Sequence, residues 1–179
     1  MHMIEIMQDV ILRLFNTATL RHWREGQTLF HVGDHPTIIH LVVSGRVVLS
    51  RTLADGTEMV LQSASPGAIL AEASAYSSGY HCAARAAQSS TTRAMDIKAF
   101  RIAVDRQPLV AAAWAASLAS SIQTTRFRVE VRSLRTVRAR LDAWLSDGNS
   151  LPSLGHVQDL AAEIGVSREA LYRELARRR

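Results

Sequence analysis

Two arginines, a glutamate and a tyrosine are concentrated near the C-terminal end of the chain. The set combines hydrogen-bond donors, an acceptor and an aromatic ring: Arg168, Glu169, Tyr172 and Arg173. A DNA-binding helix-turn-helix inserts the first turns of its second helix into the major groove, so donors and acceptors belong there. The spacing therefore predicts a DNA-reading surface, provided that one exposed helix carries all four side chains.

The elements that must position this set are two short helices joined by a turn, over residues 157–175. Leu160 and Ile164 give the first helix an apolar face. Gly165 ends that helix where a left-handed backbone costs little, and Ser167 can cap the next one. The second helix returns leucines at four-residue spacing, Leu171 and Leu175. The pattern is typical of a helix-turn-helix; a helical hairpin with a solvated polar face is the alternative.

Positive charge is concentrated in the same part of the chain. The formal net charge is +5, and 20 of the 21 basic residues are arginine. Residues 126–179 hold 11 arginines and seven acidic residues, a net charge of +4, whereas residues 1–125 have a net charge of +1. Arginine forms forked hydrogen bonds with phosphate and guanine. This distribution is typical of a nucleic-acid-binding module joined to a nearly neutral one.

Length and composition exclude several classes of protein. The 179 residues suit one medium domain or two small ones. No stretch approaches the ~20 apolar residues that span a bilayer, and the N-terminus lacks the pattern of a secretory signal. The single cysteine, Cys82, excludes an internal disulfide framework and suits a reducing compartment. We therefore expect a cytoplasmic protein without membrane contact.

The segment from Trp23 to Ile97 is predicted to form short strands. Its apolar stretches are separated by glycine-containing turns: Thr28–Phe30, Ile38–Val43, Val47–Leu49 and Met59–Leu61. Asp55 and Gly56, between apolar arms, favour a hairpin. This pattern predicts an antiparallel β-roll of the jelly-roll type. Residues 4–20 before it are expected to form one amphipathic helix or two short ones.

Helices return after the β segment. Asp96 is expected to cap a helix over residues 98–106, and Pro108 suits the first turn of a long helix. A stripe of mostly apolar residues follows the long helix at three- and four-residue spacing: Val110, Trp114, Leu118, Ile122, Thr125 and Val129. Such a stripe packs either on its own sheet or against a second copy of the helix, and we favour two-fold pairing. A further helix is predicted over residues 138–146.

A β-roll, a long dimerisation helix and a C-terminal helix-turn-helix, in this order, resemble the CRP/FNR family of bacterial transcription regulators. Residues 33–47 look like the family's strand–turn–strand signature and residues 55–58 like its following hairpin. Residues 165–173 are similar to the recognition helix of its cyclic-AMP-responsive branch. The resemblance implies an α+β fold with a cyclic-nucleotide-binding-like sensor domain, a dimerisation helix and a DNA-binding domain, over residues 1–107, 108–135 and 136–179.

The resemblance also implies partners and DNA contacts. By position, Arg168 and Arg173 would donate to guanine edges and Glu169 would accept from a cytosine amino group, as major-groove chemistry allows. Gln158 and Ser167 fall where phosphate contacts are expected. The implied partners are a palindromic duplex with TGTGA-like half-sites, a second copy of the chain, RNA polymerase and a small-molecule effector. The effector would shift the dimer between two arrangements.

The effector site departs from the family pattern. Cyclic-nucleotide binders of the family use Gly-Glu-Leu and a later Arg-Ser or Arg-Thr to hold the ribose and the phosphate. Here Glu72 remains for the ribose, but Cys82 and Ala83 supply neither a cation nor a hydroxyl, and Arg85 would point to the opposite face of a regular strand. We therefore expect an effector other than conventionally bound cyclic AMP. The candidate effector residues are Glu72, Ala73, Cys82, Ala83, Thr125 and Arg126.

Other kinds of chemistry fit the sequence less well. The histidines of the β segment lack the closely spaced His-x-His of a jelly-roll metalloenzyme, and we find no nucleophile–base motif or phosphate-cradling glycine loop. We therefore expect no enzyme, and the sequence names no cofactor or metal site. Cys82 beside His81 leaves open a regulator that senses redox state, haem or a metal.

Two further alternatives concern the C-terminal part. A ligand-binding or interaction module that has lost DNA binding remains open. The family normally continues with a small β wing after the recognition helix, which this sequence lacks. Either the chain is incomplete or the DNA affinity is weakened.

Overall fold

A computed structural model describes residues 9–56, 58–151 and 157–178. The chain divides into two compact units, Met1–Ala119 and Ser120–Arg179. The strands, all in the first unit, are β1 (Thr19–Trp23), β2 (Thr28–Phe30), β3 (Ile38–Ser44), β4 (Val47–Thr52), β5 (Glu58–Ala64), β6 (Ile69–Leu70), β7 (Ala83–Ala86) and β8 (Ser90–Asp96). The helices are α1 (residues 9–14), α2 (Ile97–Arg106), α3 (Pro108–Ser133), α4 (Val137–Ser146), α5 (Val157–Ile164) and α6 (Arg168–Arg177).

Two four-stranded sheets build the first unit. Their strand orders are β1-β8-β3-β6 and β2-β7-β4-β5, and every pairing is antiparallel. β4 and β5 form the expected hairpin, in which Thr52 pairs with Glu58 and Gly56 takes a positive φ of 84°. The predicted antiparallel β-roll is confirmed.

The N-terminal prediction needs a correction. Residues 9–14 are helical and a short 3₁₀ turn covers Phe15–Thr17, but the chain is already a strand at Thr19. The expected helix therefore ends before residue 20, because the backbone of β1 pairs with β8, Thr19 lying opposite Ala94. Residues 4–8 lie outside the described part of the chain.

One face of the first sheet packs against helices. Phe15, Phe100 and Trp114 form the centre of this cluster, with ring centroids of Phe100 and Trp114 4.9 Å apart. Asp96 caps α2 as predicted, since its side chain accepts from the backbone N–H groups of Lys98 and Ala99. The predicted start of the long helix at its proline is confirmed as well.

The space between the two sheets is filled by a second cluster. It contains Phe30, Val42, Val47, Leu49, Leu70, Tyr80, Cys82 and Ala84 among others. The rings of Phe30 and Tyr80 stack at 3.9 Å, and Phe30 also faces His40 at 6.3 Å. The His40 ring is buried, and its Nδ1 lies 3.2 Å from the Thr92 hydroxyl. Burial, followed by the charge of Arg21, lowers the pKa of His40 to about 4.

The second unit has a helical core of its own. Buried side chains from α3, α4, α5 and α6 form it: Val131, Leu141, Trp144, Val157, Leu160, Ala161, Ile164 and Leu171. The helix predicted over residues 138–146 is present as α4, and the two short helices around the glycine turn are α5 and α6. Among the described helices, none has both the length and the apolar character needed to cross a membrane.

Candidate nucleic-acid interface and effector site

The start of α6 is fixed by the two residues that the sequence singled out. Gly165 has a φ of 69°, a left-handed conformation that glycine adopts at little cost. Ser167 is the N-cap of α6, and its hydroxyl accepts from the Ala170 N–H at 3.1 Å. An N-cap of this kind stabilises a helix by roughly 1 kcal/mol. The local sequence therefore sets the position at which α6 begins.

The four candidate DNA-reading side chains lie on one exposed face of α6. They occupy the first and second turns and are all exposed: Arg168, Glu169, Tyr172 and Arg173. Leu171, between them in sequence, points the other way and is fully buried in the core of the second unit. Gln158 on α5 and the cap residue Ser167 are exposed too. One exposed helix therefore carries all four side chains, as the sequence analysis required.

The charges on this face are arranged for polar recognition. Hydrogen bonds from its own backbone N–H and from the Ser167 side chain lower the pKa of Glu169, with smaller contributions from Arg168 and Arg173. The carboxylate is therefore ionised near neutral pH and acts as an acceptor between two donors. The Arg168 guanidinium lies 5.4 Å from the centre of the Tyr172 ring, within the range of a cation–π contact.

The candidate effector residues of the first unit lie around the end of β6 and the start of β7. Ala71 takes a left-handed backbone (φ 54°), alone among the described non-glycine residues. A left-handed residue with a Cβ costs roughly 1–2 kcal/mol. Glu72 follows at the start of a 3₁₀ turn and is half-buried, whereas Ala73 is exposed. The alanine therefore keeps a turn conformation that glycine would adopt without strain.

Cys82 lies in the core of the roll. Its side chain is fully buried, and Ala83 beside it is half-buried. Burial, followed by the negative charge of Glu72, raises the pKa of the Cys82 thiol. Redox-sensing cysteines need an accessible thiolate, so this environment opposes the sensing role that the sequence left open. Among the described residues, no three His, Cys, Asp or Glu side chains come together as a metal site.

Arg85 faces away from the interior of the roll, as the sequence predicted. Its Nη2 lies 3.7 Å from Glu58 Oε2, and both side chains are exposed. The Ser50 hydroxyl donates to the same Glu58 carboxylate at 2.7 Å. Arg85 therefore cannot take the place of a cation at position 82.

Arg51 is the functional candidate that the sequence reasoning missed. Val47 and Leu49 of β4 point into the roll, and side-chain alternation places Arg51 on the same face of the strand, near the end of β4, where its side chain is exposed. Ser50 pairs with Ala83 in the last pair of the β4–β7 ladder, and Arg51 and Cys82 are the next residues beyond this pair. The positive charge of Arg51 indeed acts on the thiol, lowering the pKa of Cys82 against the effect of burial. Alternation within residues 47–51 could have placed Arg51 on the same strand face as Val47 and Leu49, but its proximity to Cys82 depends on the register between β4 and β7.

The remaining two effector candidates belong to the other unit. Thr125 and Arg126 are exposed on the part of α3 that lies in Ser120–Arg179. The structure therefore groups Glu72, Cys82 and Ala83 with Arg51 in the first unit, and places the pair from α3 in the second.

Comparisons with known proteins agree with this architecture. Residues 20–107 match the family model of the cyclic nucleotide-binding domain. The cyclic AMP receptor protein of Thermus thermophilus is 32% identical over 161 residues, which cover 87% of this chain and 74% of that protein. The crystal structure of the Thermus thermophilus catabolite activator protein matches with a TM-score of 0.57 at 25% identity, covering 94% of this chain and 81% of that one.

A third similarity concerns the fold alone. The structure of FixK2 from Bradyrhizobium japonicum matches with a TM-score of 0.75 at 20% identity, covering 90% of this chain and 84% of that one. The identity to the Thermus receptor and the length over which it extends settle the family. The chain belongs to the CRP/FNR family of transcription regulators.

Proposed function

We propose that the protein is a sequence-specific DNA-binding transcription regulator whose helix α6 enters the major groove. The observation that carries the proposal is the exposed set Arg168, Glu169, Tyr172 and Arg173 on the first two turns of α6. Donors and acceptors at these positions suit base edges, while Gln158 and Ser167 suit phosphates. The protein acts through binding rather than catalysis, in the cytoplasm, on promoters served by RNA polymerase.

A two-fold dimer is part of this proposal. The stripe on α3 begins buried at Val110 and Trp114, but Ile122 and Val129 are 52% and 64% exposed in the single chain. A second copy of α3 would cover these side chains. Such a dimer would space two recognition helices by about 34 Å, one turn of DNA, and so match a palindromic site. Residues 1–107 would then sense the effector, residues 108–135 couple the subunits and residues 136–179 bind DNA.

Arg173→Ala tests the base-reading role directly. The wild type is expected to prefer TGTGA-like half-sites. In the variant, the free-energy difference between the preferred base pair and its alternatives should fall by about 1–3 kcal/mol at one position of each half-site. The measurement is selection from randomised duplexes followed by affinity titration at fixed salt. Arg177→Ala is the matched control, because Arg177 is an exposed arginine one turn further along α6. Base discrimination equal to that of the wild type in Arg173→Ala would refute the assignment.

We propose that the effector is not cyclic AMP bound in the usual manner. Cys82 and Ala83 offer neither a cation nor a hydroxyl, and Arg85 is engaged with Glu58 on the outer face. The cation whose charge acts on Cys82 is Arg51, which is exposed and lies on a different strand. A ligand with an anionic group and a hydroxyl would therefore have to place its charge at Arg51 and its hydroxyl at Glu72.

Calorimetric titration with cyclic AMP checks this point. Each hydrogen bond to a charged group contributes about 1.5–3 kcal/mol, so a missing phosphate partner weakens binding on the order of 10- to 150-fold. We expect no binding in the micromolar range. Micromolar affinity for cyclic AMP would contradict the proposal, and the same titration with Arg51→Gln would then show whether Arg51 holds the phosphate.

A further inference from the structure

Two arginines outside the DNA-reading face hold the C-terminal end of α5. We propose that Arg132 and Arg140, together named the arginine clasp, are positioning residues that fix the angle of α6 relative to the end of α3. Through that angle they set the half-site spacing that the dimer accepts. This inference rests on the proposed DNA-binding function.

The clasp completes the hydrogen bonding of a helix end. The last four carbonyls of an α-helix have no partner within it and must find one elsewhere. In α5, Ala161 O accepts from the Val166 N–H at 2.9 Å. The next two carbonyls, of Ala162 and Glu163, accept from Arg132 Nη2 at 2.8 Å and Nε at 3.1 Å. Ile164 O accepts from Arg140 Nη1 at 3.2 Å, so all four are satisfied.

The clasp joins three elements at the turn before α6. Arg132 lies in the last turn of α3, and Arg140 lies on α4. Arg140 also donates to Leu134 O in the α3–α4 connection at 2.8 Å, and to Gly165 O in the turn. The end of α3, the start of α4 and the turn before the recognition helix are therefore tied by one set of guanidinium contacts.

Close packing reinforces this arrangement, whereas the charges around Arg132 act in both directions. A Cβ added at Gly165 would lie 3.0 Å from Cγ of Arg132, so the glycine allows the arginine to approach. The negative end of the α5 dipole favours cations at this position. Burial, followed by the charge of Arg128, lowers the pKa of Arg132; Glu163 raises it, and Arg140, the other member of the clasp, lowers it. The Arg128 and Glu163 side chains are themselves 3.8 Å apart.

A planar guanidinium fork is suited to bridging two successive carbonyls. The guanidinium of Arg132 donates from two of its nitrogens in a fixed geometry, whereas a lysine ammonium is a point donor on a flexible stem. We therefore expect Arg132→Lys to keep the charge but to lose the fixed two-carbonyl bridge. This variant separates the geometric role of the clasp from any contribution of its charge to DNA affinity.

The experiment measures how the DNA affinity of the dimer depends on the spacer, the base pairs between the two half-sites. Affinities are determined for the selected palindrome and for the same palindrome with one base pair added to or removed from its centre. Adding or removing one central base pair rotates and shifts one half-site relative to the other. The wild type is therefore expected to bind these duplexes roughly tenfold more weakly, or worse. For Arg132→Lys and Arg132→Gln we expect this penalty to fall to roughly threefold or less, because α6 can adjust its angle.

The control and the outcomes distinguish this inference from the proposed function. Arg135→Gln removes one exposed arginine from the α3–α4 connection and should lower affinity for all spacers equally. An unchanged spacer penalty in Arg132→Lys would overturn the role of the clasp. If Arg132→Gln fails to fold by circular dichroism, Arg132→Lys still decides the question. Failure of the wild-type protein to bind any duplex would instead overturn the proposed function.

Discussion

Lowering the pH from 7 to 4 is expected to reduce the free energy of unfolding by about 3 kcal/mol through His40 alone. Its pKa is about 4 in the folded protein, against an ordinary value of 6.5. Between these values the unfolded chain binds a proton that the folded protein does not. Stability is therefore complete above pH 6.5 and is lost progressively as the pH falls toward 4.

The pKa of His40 is lowered because its ring lies between the two sheets. His40 lies among Phe30, Trp23 and the Thr92 hydroxyl, where an imidazolium would be poorly solvated. Urea unfolding at pH 7 and pH 4 measures the effect. His40→Gln should remove this part of the pH dependence, whereas His22→Gln should not, because the His22 ring makes a similar contact with a threonine hydroxyl but is exposed. Equal pH dependence in all three proteins would contradict the expectation.

Leu171→Ala is expected to destabilise the second unit by roughly 2–5 kcal/mol. The Leu171 side chain is fully buried beneath the exposed face of α6 and packs with Leu141, Leu160 and Ile164. Its removal leaves a cavity in a small core, and α6 loses the contact that holds it against α5. We expect amide hydrogens of α5 and α6 to exchange roughly 30-fold faster or more.

Leu151→Ala supplies the matched control for this variant. The chemical change is identical, but the Leu151 side chain is 51% exposed, so its removal should change exchange little. Comparable acceleration by both substitutions, or none in Leu171→Ala, would mean that the core of the second unit does not support the recognition helix.

Local signals predicted most of the elements correctly. The caps at Asp96 and Ser167, the proline at the start of α3 and the glycine turn at Gly165 all depend on hydrogen bonds and dihedral angles within a few residues. The hairpin at Gly56 belongs to the same class. The prediction failed at β1, where pairing with β8 overrides an apparent helical periodicity up to residue 20. Pairing with a strand so distant in sequence cannot be predicted from the residues around β1.

The candidate sites divide along the same line. Exposure of Arg168 and Arg173 opposite the buried Leu171 follows from helical periodicity, so the DNA-reading face could be predicted. Arg51 was missed because its relation to Cys82 requires the register between β4 and β7. The DNA-reading assignment itself stays a prediction until the base preferences are measured.

The sequence by itself determined which elements form, in what order, and which side chains on each are polar and exposed, because caps, turns and periodicity are properties of neighbouring residues. Tertiary structure alone decided that Glu58 is the ion-pair partner of Arg85, that the Cys82 side chain is fully buried, and that Arg132 reaches the carbonyls of α5. These outcomes depend on strand register and helix packing between segments far apart in the chain. Composition and local spacing do not contain that information.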